Sequence, residues 1–239
     1  MVGAASGNQV VSRGDVCPLC GGSDTSLYHV ATTSVPWHLY SPTSSRDKGL
    51  CFFSCATCLL VFKDPSIRAT AEQETRRYEK HHNDLADNGY REHLMTVVRP
   101  LMELVPPTAV GLDYGCGPCV STEVLVRELE RTCSSYDPNF FPREELLREG
   151  SYDFITCTEV AEHFKSPRRE FEKVRELLKP GGVLGLMTQL VPERFEDWWY
   201  HRDPTHVVFY SPETFEWIAR NLGFSLLECR SNVALLRKR

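Results

Sequence analysis

The 239-residue sequence predicts an α/β chain: a doubly wound, mostly parallel sheet preceded by a small cysteine-built module and a helical linker. Three observations carry this. From residue 109 onward, short apolar runs alternate with segments of helical period, the pattern that lays strands side by side with helices on both faces. The run Val110-Gly-Leu-Asp-Tyr114 leads directly into Gly115-Cys-Gly117, a turn where missing Cβ atoms let the backbone come close to a ligand. Ahead of both, two Cys-x-x-Cys pairs, Cys17/Cys20 and Cys55/Cys58, stand on either side of a polar loop.

Composition narrows the classes. A hydrophobic content of 41% and a charged content of 25% are those of a soluble globular protein. The net charge of −5 argues against a chain-wide polyanion binder and makes long nucleic acid the less expected partner; a local basic patch stays open. No apolar stretch approaches the ~20 residues of a membrane span. Residues 1–14 are small and polar without an apolar core, which reads as a flexible tail rather than a secretory signal. The ten cysteines fall into pairs and scattered singles inside apolar segments, which fits reduced thiols and a cytoplasmic location.

Taken in order, residues 15–67 read as a ribbon. Cys17-Pro-Leu-Cys20-Gly-Gly sets two thiolates on a turn relieved by glycine. Its partner Cys55-Ala-Thr-Cys58 follows the strand-like Gly49-Leu-Cys-Phe-Phe53 and precedes Leu59-Leu-Val-Phe62. Four soft ligands suit tetrahedral Zn²⁺ in a site closed to water, hence structural. Unligated core cysteines are the alternative, and Cys51 is a substitute ligand. A module this small is not held by core burial alone, so metal would stabilise it. Its role is either pure scaffold or a share in substrate binding. The insert from Thr32 to Asp47, rich in Ser, Thr and Pro, reads as a loop.

Residues 68–105 turn helical. Between Ala71-Glu-Gln-Glu-Thr-Arg-Arg and Tyr90-Arg-Glu-His-Leu-Met-Thr-Val-Val lies Tyr78-Glu-Lys-His-His-Asn83, aromatic and imidazole groups placed either as a lid or as a solvated linker. Pro106-Pro107 opens the main domain, 106–239. Strand 109–114 leads to a helix from near Ser121 with Val124, Leu125 and Leu129 inward, then to strand Ser134–Tyr136. The crossover from Pro138 to Gly150 is short, and Tyr152-Asp-Phe-Ile-Thr-Cys157 is the next strand. Ser166-Pro167 starts a helix with Phe171, Val174, Leu177 and Leu178 inward. Lys179-Pro-Gly-Gly182 ends it ahead of strand Val183–Met187. Ser211-Pro212 opens a last helix with Phe215, Ile218 and Leu222 inward and Gly223 as its stop. Phe224–Cys229 and Val233–Arg237 read as a terminal hairpin.

The acidic-x-Gly-x-Gly string at Asp113, Gly115 and Gly117, with a second acid, Asp137, ending the following strand, resembles the first motifs of class I S-adenosylmethionine methyltransferases. Tyr152-Asp-Phe-Ile-Thr-Cys-Thr-Glu-Val-Ala-Glu-His-Phe164 and Leu178-Lys-Pro-Gly-Gly182 are similar to later parts of the same domain. The front end, with its two Cys-x-x-Cys pairs, is similar to the zinc-ribbon start of a bacterial-type subgroup. The resemblance implies a Rossmann-like fold, S-adenosylmethionine (SAM) as cofactor, and methyl transfer. It implies that Asp113, Gly115, Gly117, Asp137, Tyr78, Thr158 and Glu159 bind the cofactor, with Asp137 on the ribose hydroxyls. The sequence departs at Cys119, where the loop often has a third glycine. It departs again in the short crossover, where such domains fit a helix and a third strand whose loop contacts adenine. That strand is expected to be vestigial, and no adenine ligand is named.

The richest constellation for chemistry is Glu159-Val-Ala-Glu-His163. If the turn is helical, Glu159, Glu162 and His163 share one face. His206, in Asp203-Pro-Thr-His-Val-Val-Phe-Tyr210, comes from the loop after the fifth strand over the same pocket. Similar Glu-x-x-Glu-His arrangements with a later His bind a divalent metal in ubiquinone O-methyltransferases and small-RNA 2′-O-methyltransferases. Mg²⁺ or another divalent ion would hold an acceptor hydroxyl and lower its pKa. His163 as a metal-free general base and a purely structural helix start remain alternatives. Trp198-Trp-Tyr-His201 reads as an acceptor-facing aromatic wall. The expected activity is SAM-dependent methylation of a small-molecule hydroxyl. The alternatives are an RNA or protein acceptor, or a zinc-ribbon interaction protein whose SAM-binding domain has lost turnover.

Overall fold

A computed structural model describes residues 16–31, 50–78 and 84–239. The N-terminal tail, the Ser/Thr/Pro insert and Glu79–Asn83 of the expected lid lie outside the described residues. Two sheets organise the chain. The larger has six strands: β4 (Val110–Tyr114), β5 (Thr132–Tyr136), β6 (Tyr152–Thr158), β7 (Leu178–Met187), β9 (Phe224–Arg230) and β10 (Val233–Lys238). Their spatial order is β5-β4-β6-β7-β10-β9. The first four are mutually parallel, and β10 is antiparallel to both β7 and β9.

Both faces of this sheet are covered, which is why its central strands are nearly continuous apolar runs rather than alternating ones. Along β6, Phe154 faces a layer containing Leu94, Val97, Val98 and Leu101 of α2 (Asn88–Glu103) and Leu125 and Val126 of α3 (Ser121–Glu128). The next residue, Ile155, faces Phe171, Val174 and Leu177 of α4 (Pro167–Leu177) and Phe215 and Ile218 of α5 (Pro212–Asn221). Gly111 makes room for the Phe154 ring, since a Cβ there would sit 2.1 Å from it.

The sequence marks the helix starts. Asp87 caps α2 by accepting from Gly89 N–H at 2.7 Å. Ser211 and Thr214 form a reciprocal capping box on α5. Ser166 precedes Pro167 as expected, but its side chain accepts no capping hydrogen bond. In α3 the inward residues are Leu125 and Val126, whereas Val124 and Leu129 are each 37% exposed. The eight-residue helix is too short for Leu129 to complete an inward stripe.

The missing third strand is a fact of the topology. Between β5 and β6 there is one 3₁₀ turn, Glu144–Leu146, and a single antiparallel bridge, Asp137 with Phe141. β5 is therefore the sheet's edge. The turn lies across it, with Tyr136 Oη donating to Glu144 and Tyr152 Oη to the Leu146 carbonyl.

The second sheet joins β1 (Thr25–Ala31), β2 (Leu50–Cys55) and β3 (Val61–Lys63) to β8 (Val208–Phe209), all antiparallel. Its fourth strand thus comes from the far end of the main domain. Phe53, Leu60 and Phe62 share one core with Val207, Val208 and Tyr210. Helix α1 (Ala71–Tyr78) links the two parts. Among the described residues no helix is long and apolar enough to cross a membrane.

Candidate active site

The glycine turn is built between two strand ends. Gly115 and Cys116 N–H groups both donate to the Tyr136 carbonyl, at 2.8 and 3.1 Å, tying the turn to β5. Gly115 (φ +83°) and Gly117 (φ +64°) supply the left-handed backbone that this course needs. A Cβ on Gly115 would sit 2.6 Å from Val160 Cγ1, so this glycine is required by packing as well. At Gly117 a Cβ would meet nothing within 4 Å, because that side of the turn faces a cavity. Asp137 locks the arrangement: Oδ2 accepts from Gly117 N–H at 3.0 Å, and Oδ1 from Asn139 and Phe140 N–H.

The cavity holds about 700 Å³. Gly115, Gly117 and Asp137 line one part of it, and Tyr78, Thr158 and Glu159 also face it. Asp113 does not line it. Its side chain is buried beneath the turn, where Oδ1 accepts from Thr156 Oγ1 at 2.8 Å. Burial pushes that carboxyl up to about 7, against the lowering bond from Thr156. The role open to Asp113 is to brace the turn from below. A nucleoside with an adjoining charged chain fits the donor set here: an open glycine, a carboxylate at a strand end and a volume of the size that small-molecule sites have.

The three groups of a second cluster lining the same cavity come from two loops. Glu159 follows β6 with φ +53°, a strained position for a residue with a Cβ. Its Oε2 accepts from Tyr200 Oη at 3.0 Å, and its Oε1 lies 3.3 Å from His93 Nε2 on α2. The His93 imidazole is raised from its ordinary value by that bond. Glu159 therefore faces the cavity but not the Glu162 cluster, because the turn after it is 3₁₀ (Ala161–His163) rather than α-helical.

Glu162 is fully buried, with Oε2 accepting from Thr188 Oγ1 at 2.8 Å and Oε1 lacking a hydrogen-bond partner. That orphaned oxygen is 3.8 Å from His163 Nε2. His163 Nδ1 is 3.0 Å from the Thr205 carbonyl, and His206 Nδ1 is 2.8 Å from the Tyr200 carbonyl. Carbonyls only accept, so each ring carries its proton on Nδ1 and presents Nε2 as its basic nitrogen. Ligand atoms of Glu162, His163 and His206 all lie within 4.8 Å of one another. Burial, reinforced by Glu159, pushes the Glu162 carboxyl well above the usual range, and burial beside His163 pushes the His206 imidazole well below. A divalent cation among them would reverse the first shift and satisfy the orphaned oxygen.

The loop carrying His206 is anchored from outside. Lys63, completely buried on β3, donates from Nζ to the Asp203 carbonyl at 2.8 Å. Its N–H bonds the Val207 carbonyl at 2.9 Å. Asp203 Oδ1 accepts from Thr205 N–H and Oγ1, and Oδ2 from Arg77 on α1 at 2.8 Å. Burial would raise the Asp203 carboxyl, but His206, Thr205 and Arg77 outweigh it and hold it well below the carboxylate range. Of the expected aromatic wall, Trp199 and Tyr200 line the cavity, Tyr78 adds an edge-on contact with His163 at 5.2 Å, and His201 turns the other way to stack on Phe195 at 4.7 Å. Trp198 packs with Phe195 as well and Tyr200 is itself buried, so Trp199 is the one exposed residue of the run.

The four ribbon cysteines also converge. Cys17 Sγ is 3.5 Å from Cys58 Sγ, and Cys20 Sγ is 3.4 Å from Cys55 Sγ. Thiolates around tetrahedral Zn²⁺ stand about 3.8 Å apart given Zn–S near 2.3 Å, so the set fits that ion. Cys51 is outside the cluster. Crowding splits the thiols: the bond from Cys58 lowers Cys17 to about 5, while burial lifts Cys20 to about 11. A dication removes this conflict by holding all four as thiolates.

Sequence reasoning missed His93, Lys63 and Asp203. His93 was within reach, lying one position from Leu94 on the inward face of α2; the other two depend on contacts across 140 residues.

A family profile described as "Methyltransferase domain" matches residues 72–229. A human thiol S-methyltransferase, TMT1B, is 28% identical over 110 residues, covering 36% of this chain and 45% of that protein. A ubiquinone biosynthesis O-methyltransferase of Acinetobacter baylyi is 35% identical over 75 residues, covering 30% of this chain and 31% of that one. The chain spans less than half the length of the relatives it matches. Among solved structures, the Burkholderia thailandensis 1,6-didemethyltoxoflavin-N1-methyltransferase, with bound 1,6-didemethyltoxoflavin and S-adenosylhomocysteine, superposes with a TM-score of 0.54 at 13% identity. That match covers 77% of this chain and 97% of the other.

Proposed function

The chain belongs to the methyltransferase-domain family, and from that premise we propose that it transfers the methyl group of SAM to a hydroxyl of a small molecule held beside Glu162, His163 and His206. The observation that supports this most is the shape of the cavity: the glycine turn and the cluster of three metal-type ligands line one and the same space. In this reading Gly115 and Gly117 receive the cofactor's backbone-facing side and Asp137 its ribose hydroxyls. Bound SAM would supply a sulfonium methyl directed toward the second cluster.

The chain's own groups then do the rest. Two imidazole nitrogens and one carboxylate form a three-ligand set that leaves coordination positions open, and mixed N/O donors suit several divalent ions. A hydroxyl bound there would lose its proton more readily, which is what O-methylation needs. Tyr78, Trp199 and Tyr200 would flank the acceptor and exclude water. Glu159 holds Tyr200 and His93 in place rather than acting as a fourth ligand. The ribbon, with Zn²⁺ on Cys17, Cys20, Cys55 and Cys58, would be structural.

Two measurements test the proposal. Calorimetry should register S-adenosylhomocysteine binding, and paramagnetic resonance with Mn²⁺ should detect an ion that Glu162→Gln and His206→Ala each release. A screen of hydroxylated small molecules with labelled SAM should then yield a product whose formation stops on chelation. Turnover indifferent to chelation, with a lower pH limb lost in His163→Ala, would replace the ion by His163 as general base. Wild-type turnover in both Glu162→Ala and His163→Ala would make the cluster structural.

A further inference from the structure

The turn that would receive the cofactor holds two thiols for which methyl transfer has no use. Cys116 and Cys119 enclose Gly117-Pro118, a third Cys-x-x-Cys independent of the ribbon pairs. Gly117 and Pro118 are the central residues of a tight turn. Corner Cα atoms of such a turn lie within about 7 Å, and a disulfide spans about 4.4–6.8 Å. Both thiols are half-buried and both line the cavity, so a small reagent entering it reaches them. By contrast, Cys133 and Cys157 are closed inside the sheet.

We propose that Cys116 and Cys119 form a redox-active dithiol, oxidised by small disulfides of the glutathione class, whose closure into an intramolecular disulfide shuts the cofactor turn. One cysteine thiolate attacks a sulfur of the small disulfide; that S–S bond breaks and the first small thiolate leaves. The second cysteine, its proton given to solvent, attacks the protein sulfur of the mixed disulfide and expels the other small thiolate. Two protein thiols are oxidised by two electrons, and one small disulfide becomes two thiols.

Closure draws Cys116 Sγ from its present contact with the Gly117 carbonyl at 3.5 Å and makes Gly117 part of a covalent ring. The same Gly117 N–H holds Asp137, so the ring strains the link between turn and ribose acid. Burial beside Asp113 and Asp137 pushes the Cys116 thiol up, so Cys119 is the cysteine that attacks first and Cys116 the one that closes the ring. Oxidation and cofactor binding compete for one turn, and linkage makes the effect mutual: bound cofactor shifts the dithiol–disulfide equilibrium toward the open dithiol.

The consequence for binding rests on the turn being the SAM site, and the test separates the two. Reduced, zinc-loaded full-length protein is treated with oxidised glutathione, alkylated, digested and mapped by mass spectrometry. S-adenosylhomocysteine affinity is measured before, after, and after re-reduction. The expected result is a Cys116–Cys119 linked peptide, an affinity at least tenfold weaker, and recovery with reductant. Cys116→Ser should stop at a mixed disulfide on Cys119, and the Cys116→Ser/Cys119→Ser double variant should not respond to oxidant whatever its own affinity. Free alkylated thiols at both positions, or a linked peptide with unchanged affinity, would overturn the proposal. If the reduced protein binds no S-adenosylhomocysteine, the cofactor reading fails, while the peptide map still decides whether the dithiol closes.

Discussion

Lys63 offers the sharpest quantitative test of how the ribbon seats the His206 loop. Its ammonium is fully buried, and burial, opposed by Asp203 and aided by Arg68, brings it from 10.5 to about 7. A displacement of about 3.5 units corresponds to about 5 kcal/mol between the two protonation states. The unfolded chain keeps this proton up to about pH 10.5, and the folded chain releases it above about 7. Between those values the unfolded state binds more protons, so stability rises with pH; below pH 7 both states are protonated and the contribution stays at its lowest. Integrated from pH 7 to 9, the rise is about 2 kcal/mol. Lys63→Met keeps the stem and removes the charge. It also removes the bond to the Asp203 carbonyl, a pH-independent cost of about 1–3 kcal/mol. Urea unfolding followed by tryptophan fluorescence at pH 7, 8 and 9 gives the comparison. Groups that do not feel Lys63 cancel in the difference between the two proteins, and His201 and His206, whose imidazoles it helps to lower, titrate below this range. The wild-type stability minus that of Lys63→Met should grow by about 2 kcal/mol across the range. Parallel profiles, within about 0.5 kcal/mol, would refute the reasoning, because the lysine would then keep its charge in the fold.

Three further outcomes follow from the geometry. Gly115→Val should remain folded by circular dichroism but give no S-adenosylhomocysteine binding heat, since its side chain would collide with Val160 at a φ of +83°; equal affinity would exclude the turn as the site. Elemental analysis of protein purified without added metal should find about one zinc per chain. Cys55→Ser should lose it and Cys51→Ser keep it, and the reverse pattern would reassign the ligands. Asp137→Ala should weaken S-adenosylhomocysteine binding by roughly 10- to 100-fold, the worth of charged hydrogen bonds to a ligand, and an unchanged affinity would remove Asp137 from the ribose.

Local chemistry was readable from the sequence; contacts between distant segments were not. The glycine turn, Asp137 at the end of β5, the capped start of α5 and the four thiols each rest on residues close together in the chain, whose backbone geometry is dictated on the spot. The short crossover also told its outcome, because 13 residues between Pro138 and Gly150 do not make both a helix and a strand. Spacing misled at Glu159. An α-helical turn would have put it on one face with Glu162 and His163, but a positive φ at the strand end and a 3₁₀ turn send it to Tyr200 and His93. The aromatic run Trp198–His201 divided because a 3₁₀ course points its neighbours in different directions, some into the cavity and some toward Phe52 and Phe195. Nothing in the residues around Lys63 or Val208 announces that they pair; that is decided by the docking of two modules.

The pairing of β3 with β8 has a consequence for how the chain is made. Lys63 and Asp203, which meet at this joint, are 140 residues apart. At a ribosomal rate of about 5–20 residues per second, the ribbon waits roughly 7–30 seconds for the strand that completes its sheet. Throughout that interval β3 offers unpaired backbone groups on an open edge, the kind of template on which nascent chains associate. Zinc captured early would hold the first three strands in register while the edge stays bare. Expression in zinc-depleted medium should therefore lower the yield of soluble chain more than it lowers the stability of protein already folded.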